Sequence, residues 1–107
     1  MLRLLTLCSL LMVGMSALAA DMPEFQLTIR NQSFDPVQLK VPANTKFKLL
    51  VKNTDSTPSE FESTDFNREK IVLPNTTITV FIGPLDKGTY KFYDDFDHAT
   101  TGVLVVE

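Results

Sequence analysis

The sequence predicts an all-β protein, a sandwich or Greek-key barrel of seven or eight short strands. Two observations lead to this prediction. From Glu24 onward, apolar and polar residues alternate with a period of two, as in strands that bury one face. Pro, Gly, Asn and Asp residues separate these runs, and no segment of helical period follows residue 20. Without a linker or an internal repeat, residues 21–107 are predicted to form a single domain.

Three strands are predicted between residues 24 and 52. In each of them, three apolar residues alternate with polar ones, which predicts one buried and one exposed face. The predicted buried sets are Phe25, Leu27 and Ile29, then Val37, Leu39 and Val41, then Phe47, Leu49 and Val51. The segment from Asn31 to Pro36 is interpreted as a turn, because proline cannot donate to a strand ladder.

The rest of the chain predicts four or five further strands. A turn-rich segment from Asn53 to Ser59 leads into the first of them. The polar residues from Thr64 to Lys70 have no clear period and fit either a loop or a single helical turn. The predicted strands cover residues 60–63, 71–73, 76–82, 90–93 and 103–106.

Residues 1–20 have the features of a secretory signal peptide. Arg3 provides a basic start, Leu4 to Leu18 is apolar, and Ala19 and Ala20 are the small residues that a signal peptidase requires. The apolar run is shorter than the roughly 20 residues that span a bilayer. We therefore expect cleavage, export to the periplasm and no direct membrane anchor.

The charge of the remaining chain excludes some classes of partner. After residue 20, nine basic side chains face 13 acidic ones. Nucleic acids and anionic membranes bind basic surfaces, so neither is expected as a partner. The only cysteine, Cys8, lies in the predicted signal peptide, so no disulfide is expected in the domain.

A candidate site begins at the end of the strand from Tyr90 to Tyr93. Alternation places Tyr90, Phe92 and Asp94 on one face, and the position of Lys91 indicates that this face is the buried one. Asp94 therefore enters the edge of the core. A buried carboxylate is costly unless it is hydrogen-bonded, paired or bound to a cation.

Further acidic residues support a metal site. Glu60 and Glu62 have the i, i+2 spacing that puts two carboxylates on one face of a strand. If this segment lies beside the last hairpin, five acids and one imidazole converge, and a cation would relieve their mutual repulsion. The candidate ligands are Glu60, Glu62, Asp94, Asp95, Asp97 and His98. Oxygen donors with one nitrogen suit iron, Mn or Cu(II) better than Cu(I).

Two other interpretations of these acids stay open. Acidic loop residues are commonly solvated surface, and a single histidine is commonly a turn residue. A pair of carboxylates can also catalyse glycoside hydrolysis, but this chemistry needs a cleft the size of a sugar, and a small domain offers little room for one.

The candidate site resembles that of a known family. The segment Gly88-Thr-Tyr-Lys-Phe-Tyr-Asp94, followed by His98 and Gly102, resembles the last hairpin of the cupredoxins, in which a G-T-Y-x-F-Y-C strand precedes a histidine loop. The segment from Asn53 to Glu60 is similar to the one that carries their first histidine ligand. The resemblance implies a cupredoxin-like Greek-key β-sandwich in which Asp94 replaces the copper-binding cysteine and Glu60 replaces that histidine.

These replacements decide what chemistry the resemblance allows. Blue-copper electron transfer depends on a cysteine thiolate, and Asp94 offers none. No methionine follows His98, which is the only copper ligand that the resemblance retains. A blue-copper site is therefore excluded.

A narrower likeness concerns iron. Glu60-Phe-Glu-Ser63, Arg68-Glu-Lys70, Gly83-Pro-Leu85 and Asp94-Asp-Phe96 resemble the EfeO-type cupredoxin-like domains of bacterial periplasmic iron uptake systems. This likeness implies a metal-binding protein that binds, presents or helps to oxidise ferrous iron at an inner-membrane iron permease, or that works with other periplasmic iron-uptake proteins. Glu60, Asp94 and His98 would then be ligands, with the other acids as ligands or as groups that orient them.

The sequence leaves the enzymatic question and one rival function open. Ferroxidase-type assistance is the enzymatic option, but no second redox centre is evident. The rival function is that of a metal-free adaptor that binds a partner protein, with Glu60 and Asp94 solvated or paired with Arg68 or Lys70.

Overall fold

A computed structural model describes residues 22–107 of the chain, and these residues form nine strands without any helix. The all-β prediction is confirmed, with one strand more than the predicted maximum of eight. The strands are β1 (Glu24–Arg30), β2 (Ser33–Asp35), β3 (Gln38–Val41), β4 (Phe47–Asn53), β5 (Ser59–Ser63), β6 (Arg68–Val72), β7 (Thr77–Ile82), β8 (Gly88–Asp94) and β9 (Asp97–Val106). The predicted signal peptide, residues 1–20, lies outside the described residues. Nothing in the described part has the length and apolar character of a membrane-spanning helix.

The strands form two sheets packed as a sandwich. The four-stranded sheet has the order β2-β1-β4-β7, and the five-stranded sheet has the order β3-β9-β8-β5-β6. The pairs β1–β4 and β3–β9 are parallel, and the other pairs are antiparallel. The five-stranded sheet therefore brings β5 beside the β8–β9 hairpin. All the candidate ligands lie on these two parts of the chain.

Aromatic rings fill the core beneath this part of the sheet. Phe92 is fully buried, and its ring lies 4.9 Å from that of Phe34 and 5.4 Å from that of Phe61. Phe66 packs on the far side of Phe61, with the two ring centroids 6.1 Å apart. Phe61 and Phe66 are both buried and belong to the core. These rings form a rigid base on which β5 and the last hairpin rest.

The first difference from the sequence prediction lies between residues 31 and 37. This segment is not only a turn, because Ser33–Asp35 pairs with the end of β1 as strand β2 and buries Phe34 to 2% exposure. Val37, predicted to be buried, is 60% exposed. Asn31 and Gln32 both have positive φ, and this makes the turn tight enough for β2 to fold back onto β1.

The second difference is strand β6. Arg68–Val72 pairs with β5 as a hairpin, so neither the predicted loop nor the helical turn extends to Lys70. Asn67, with a φ of 56°, supplies the left-handed residue that this hairpin turn requires. Arg68 and Lys70 do not pair with the candidate acids: their side chains donate to the carbonyl oxygens of Phe81 and Thr79 on β7.

Candidate metal centre

Asp94 lies on the inner face of the five-stranded sheet, as the alternation predicts. It is 4% exposed, and it is paired with Phe61 across the antiparallel β5–β8 ladder. Residues directly opposite each other in such a ladder point to the same face, and Phe61 points into the core. Oδ1 of Asp94 accepts hydrogen bonds of 2.9 Å from the backbone N–H groups of Glu60 and Phe96. This carboxylate therefore joins β5 to the tip of the last hairpin.

Glu60 and Glu62 lie on the opposite, outer face of the same sheet. They flank Phe61 in the sequence, so alternation turns both side chains away from the core, and both are half-buried. Asp95 begins the turn after β8, and its backbone N–H donates to the carbonyl oxygen of Glu60 over 2.9 Å. This bond holds the turn against β5 on the outer side.

Three of the predicted ligands come together on this outer face. One carboxylate oxygen from each of Glu60, Glu62 and Asp95 lies within 4.8 Å of the other two. We call these three residues the outer carboxylate group. The prediction that Glu60 and Glu62 share a face is thereby confirmed.

The other three predicted ligands lie around this group or on the opposite face. His98 is 73% exposed, and its Nε2 is 2.8 Å from Oδ1 of Asp95, so the imidazole adjoins the group through one of its members. Asp97 is half-buried, and its Oδ1 accepts from the backbone N–H of Ala99 over 3.3 Å. Asp94 lies on the inner face with Phe61. The single six-residue ligand set predicted from the sequence is thus divided between two faces of a sheet, and its role in metal binding stays a prediction.

Two residues of the outer face were missed by the sequence analysis. The hydroxyl of Tyr93 donates a short hydrogen bond to Oε2 of Glu62, and its ring packs edge-on against His98 with centroids 5.6 Å apart. Glu69 on β6 pairs directly with Glu62, so both side chains project from the outer face. The motif Arg68-Glu-Lys70 could have indicated Glu69 only if the segment had been interpreted as a strand.

The negative charge of the outer face changes how its groups titrate. Burial, followed by the hydrogen bond with Asp95 and by the charges of neighbouring acids, raises the pKa of Glu60 from 4.5 to about 7. The hydrogen bond to Glu62 raises the pKa of Tyr93 to about 12. His98 and Asp95 shift each other's pKa in opposite directions, as the partners of an ion pair do. The pKa of His98 is raised and the pKa of Asp95 is lowered, each chiefly by their mutual hydrogen bond.

These shifts predict how the stability of the metal-free protein depends on pH. The folded state holds the proton of Glu60 more tightly than the unfolded state, so this group stabilises the fold below pH 4.5, and the contribution disappears as the pH rises through about 7. The raised pKa of His98 likewise stabilises the fold at low pH, and this contribution is lost as the pH rises above 6.5.

Thermal melts between pH 5 and pH 8 should therefore show Tm falling with pH. In Glu60→Gln the slope should be smaller, whereas Glu24→Gln on β1 should melt with the wild-type slope; equal slopes in all three proteins would contradict the assignment.

A blue-copper centre does not fit the residues present. No cysteine occurs in residues 22–107, and Asp94 already uses Oδ1 to bind two backbone N–H groups. The outer carboxylate group instead offers the oxygen donors that hard and borderline cations prefer.

Comparisons with known proteins identify the family. A family model described as a cupredoxin-like domain matches residues 3–106 of the chain. The chain belongs to this cupredoxin-like family. An uncharacterized protein of Rickettsia prowazekii (strain Madrid E) is 40% identical over 84 residues, which cover 78% of this chain and 67% of that protein.

Solved cupredoxin structures share the fold. Auracyanin A from Chloroflexus aurantiacus, described as a "blue" copper protein, has a TM-score of 0.69 and 15% identity over 81% of this chain and 100% of its own. A purple cupredoxin from Nitrosopumilus maritimus has a TM-score of 0.60 and 22% identity over 81% of this chain and 100% of its own. At these identities the likeness shows the fold alone. The cupredoxin-like resemblance stated from the sequence is therefore confirmed, while the narrower EfeO-type likeness stays a prediction.

Proposed function

We propose that this cupredoxin-like protein binds a metal cation at the outer carboxylate group and serves bacterial iron uptake in the periplasm. The observation that carries the proposal is the convergence of three carboxylate oxygens within 4.8 Å on one sheet face. Metal–oxygen bonds are roughly 2.0 to 2.2 Å long, so two ligands of one ion are at most about 4.4 Å apart. A small closure of Glu60, Glu62 and Asp95 would therefore satisfy a shared ion.

The surroundings of the group support a cation rather than an anion or a neutral ligand. Glu69 adds a fourth acid to the same face, and its charge helps to keep Glu60 protonated when no ion is bound. A cation would displace this proton and relieve the repulsion among the acids. His98 can turn from Asp95 toward the ion, or it can stay bonded to Asp95 and orient that ligand.

The donor types select among metals. Carboxylates with one imidazole suit Fe, Mn or Cu(II), and they do not suit Cu(I), which prefers sulfur. Copper is a reasonable candidate because auracyanin A, a structural neighbour, is a copper protein. Iron is proposed from the EfeO-type likeness of the sequence. Anionic oxygen ligands stabilise Fe(III) over Fe(II), which would favour oxidation of ferrous iron if an external oxidant accepted the electron.

The partner proposed on the same likeness is an inner-membrane iron permease or another periplasmic iron-uptake protein. The outer carboxylate group is only partly buried, so an ion bound there could be transferred to such a partner. Asp95, at 37% side-chain exposure, is accessible to an incoming ligand from the partner.

Calorimetric titration of residues 21–107 with Mn(II), Cu(II) and Fe(III) citrate tests the proposal. Loss of a group that only orients a ligand costs about 10- to 100-fold in metal affinity. We therefore expect Glu60→Gln and Glu62→Gln each to weaken binding at least about tenfold. Glu24→Gln, which removes an exposed acid from the other sheet, should bind as wild type does. Wild-type binding no tighter than about 1 mM, or about −4 kcal/mol, would end the metal hypothesis.

The rival function, a metal-free adaptor, is supported by a different observation. A groove of about 580 Å³ lies on the outer face beside His98, and its lining includes exposed Val37 together with half-buried Tyr93 and Val103. Such a groove could receive an apolar side chain of a partner protein. Two results together would favour the adaptor. The protein would bind no metal, and it would bind a partner through an interaction that Val37→Ser abolishes and Glu60→Gln leaves unchanged.

A further inference from the structure

Strand β7 forms one edge of the four-stranded sheet, and alternate residues direct their backbone groups away from that sheet. The N–H of Asn53 donates to the carbonyl oxygen of Thr76, so this pair and every second pair after it exchange hydrogen bonds between β4 and β7. Thr77, Thr79 and Phe81 fall between those pairs. Their N–H and C=O groups therefore point toward the free edge.

Two cationic side chains of β6 cover acceptors of this edge. Nζ of Lys70 donates to the carbonyl oxygen of Thr79 over 3.1 Å, and Nε of Arg68 donates to that of Phe81 over 2.8 Å. The N–H groups of Thr79 and Phe81 have no acceptor in the described part of the chain. An ordinary strand edge presents both donors and acceptors, whereas this stretch retains donors beside two positive charges.

The two cations have no counter-charge at this edge. Neither Arg68 nor Lys70 forms an ion pair with an acid of residues 22–107. Glu69 lies between them in the sequence, but alternation along β6 turns its carboxylate to the outer face of the five-stranded sheet. A carboxylate supplied from outside the chain would form charge-assisted hydrogen bonds with both cations.

A cavity of about 230 Å³ lies between the two strands, and residues 68–70 of β6 and 79–81 of β7 line it. Its volume equals that of about eight liquid waters, so a carboxylate side chain fits. Phe81, at 48% exposure, provides apolar surface beside the cavity. The cavity, the edge donors and the two cations thus share one side of the sandwich.

We propose that this side of the sandwich, which we call the β7 edge, is a docking surface for an extended acidic segment of a partner protein. The segment adds to β7 as a further strand, and its backbone carbonyl oxygens accept from the N–H groups of Thr79 and Phe81. Its carboxylates bind Arg68 and Lys70. The carbonyl oxygens that these two side chains held are then released to accept from the N–H groups of the segment.

The charge at the β7 edge excludes a second copy of this chain as the occupant. Pairing two β7 edges would bring the cations of both copies together, and like charges placed opposite each other oppose association. The β7 edge is also separate from the outer carboxylate group and from the groove beside His98. Binding at this edge therefore needs no metal.

Fluorescence anisotropy of a labelled peptide of four Glu-Thr repeats, added to the metal-free domain, tests this proposal. We expect this peptide to bind at least about tenfold more tightly than a peptide of four Gln-Thr repeats, because only the first supplies carboxylates. The double variant Arg68→Gln/Lys70→Gln should lose this difference. The matched control Lys40→Gln/Lys87→Gln, which removes two exposed lysines away from β7, should retain it.

Amide chemical shifts of the wild-type domain locate the bound peptide. The largest changes should occur at Thr79 and Phe81, whose amides should also exchange with solvent more slowly in the complex. Equal affinity for the two peptides, an unchanged difference in Arg68→Gln/Lys70→Gln, or shifts confined to other strands would each overturn the proposal. Should the double variant fail to give a cooperative melt, Lys70→Gln replaces it: a smaller loss of the difference supports the proposal, and no loss overturns it. All these measurements are made without metal, so their outcome is independent of the proposed function.

Discussion

Replacing Asp94 with alanine is expected to lower the free energy of unfolding by about 2 to 6 kcal/mol, a loss that would exceed that of any single outer-face substitution. The variant leaves the backbone N–H groups of Glu60 and Phe96 without their acceptor, the buried carboxylate of Asp94, and both of these hydrogen bonds are at least partly shielded from water. Each buried donor that loses its partner costs about 1 to 3 kcal/mol. Urea denaturation of the metal-free domain measures the change directly.

The matched control is Asp94→Asn, which keeps a carbonyl oxygen where Oδ1 lies. A neutral acceptor forms weaker hydrogen bonds than a charged one, so this variant should lose only about 1 to 2 kcal/mol. Equal losses in both variants would show that the charge, and not the pair of hydrogen bonds, is what Asp94 contributes to the fold. A loss below about 1 kcal/mol in Asp94→Ala would contradict the structural role altogether.

The period of the last strand was sufficient to predict the environment of Asp94. Phe92 and Lys91 differ so strongly in hydrophobicity that their alternation identifies the buried face, and Asp94 shares this face with Phe92. The same reasoning identified the apolar faces of β1 and β4. Side-chain periodicity thus predicts which way a residue points within its own strand.

Periodicity could not predict how β5 is aligned with the last hairpin. The sequence analysis expected Glu60 and Asp94 to converge if the segment of Glu60 lay beside the last hairpin. Phe61, and not Glu60, pairs with Asp94, so the side chain of Asp94 points to the inner face with Phe61 while that of Glu60 points to the outer face. A shift of one residue in this alignment would have reversed the result, and alignment between distant strands depends on packing of the whole core.

The missed contribution of Glu69 has a different physical cause. Strand β6 is exposed along four of its five residues, so it lacks the apolar alternation that identifies a strand. It forms because β5 offers a ladder and because Arg68 and Lys70 bind carbonyl oxygens of β7. Edge strands held in this way leave little trace in the sequence.

The division of the acids between two faces changes what the fold can do with them. In the predicted arrangement, one ion would have satisfied every acid. In the observed arrangement, Asp94 supports the hairpin whose next residue, Asp95, completes the outer carboxylate group. The inner carboxylate therefore helps to position the outer one.

Gly102→Ala is expected to destabilise the domain by about 3 kcal/mol, the second large effect. Gly102 pairs with Phe92, and a Cβ atom at this position would lie 2.5 Å from two carbon atoms at the far side of the Phe92 ring and 3.0 Å from the carbonyl oxygen of Val37. The ring has no space to move, because Phe34 and Phe61 pack against it. Overpacking of this kind typically costs about 1 to 3 kcal/mol, and the enclosure of the ring places this case at the upper end.

A double-mutant cycle with Phe92→Leu tests the cause of this loss. Leucine lacks the ring atoms that the new methyl group would meet, so Gly102→Ala should cost much less in the Phe92→Leu background than in the wild-type background. We expect a coupling of about 1 to 3 kcal/mol from denaturant unfolding of the four proteins. Additive losses would mean that the carbonyl of Val37, and not the aromatic ring, limits the space at Gly102. The ring of Phe92 would then be free to adjust, and the rigid aromatic base inferred beneath β8 would not exist.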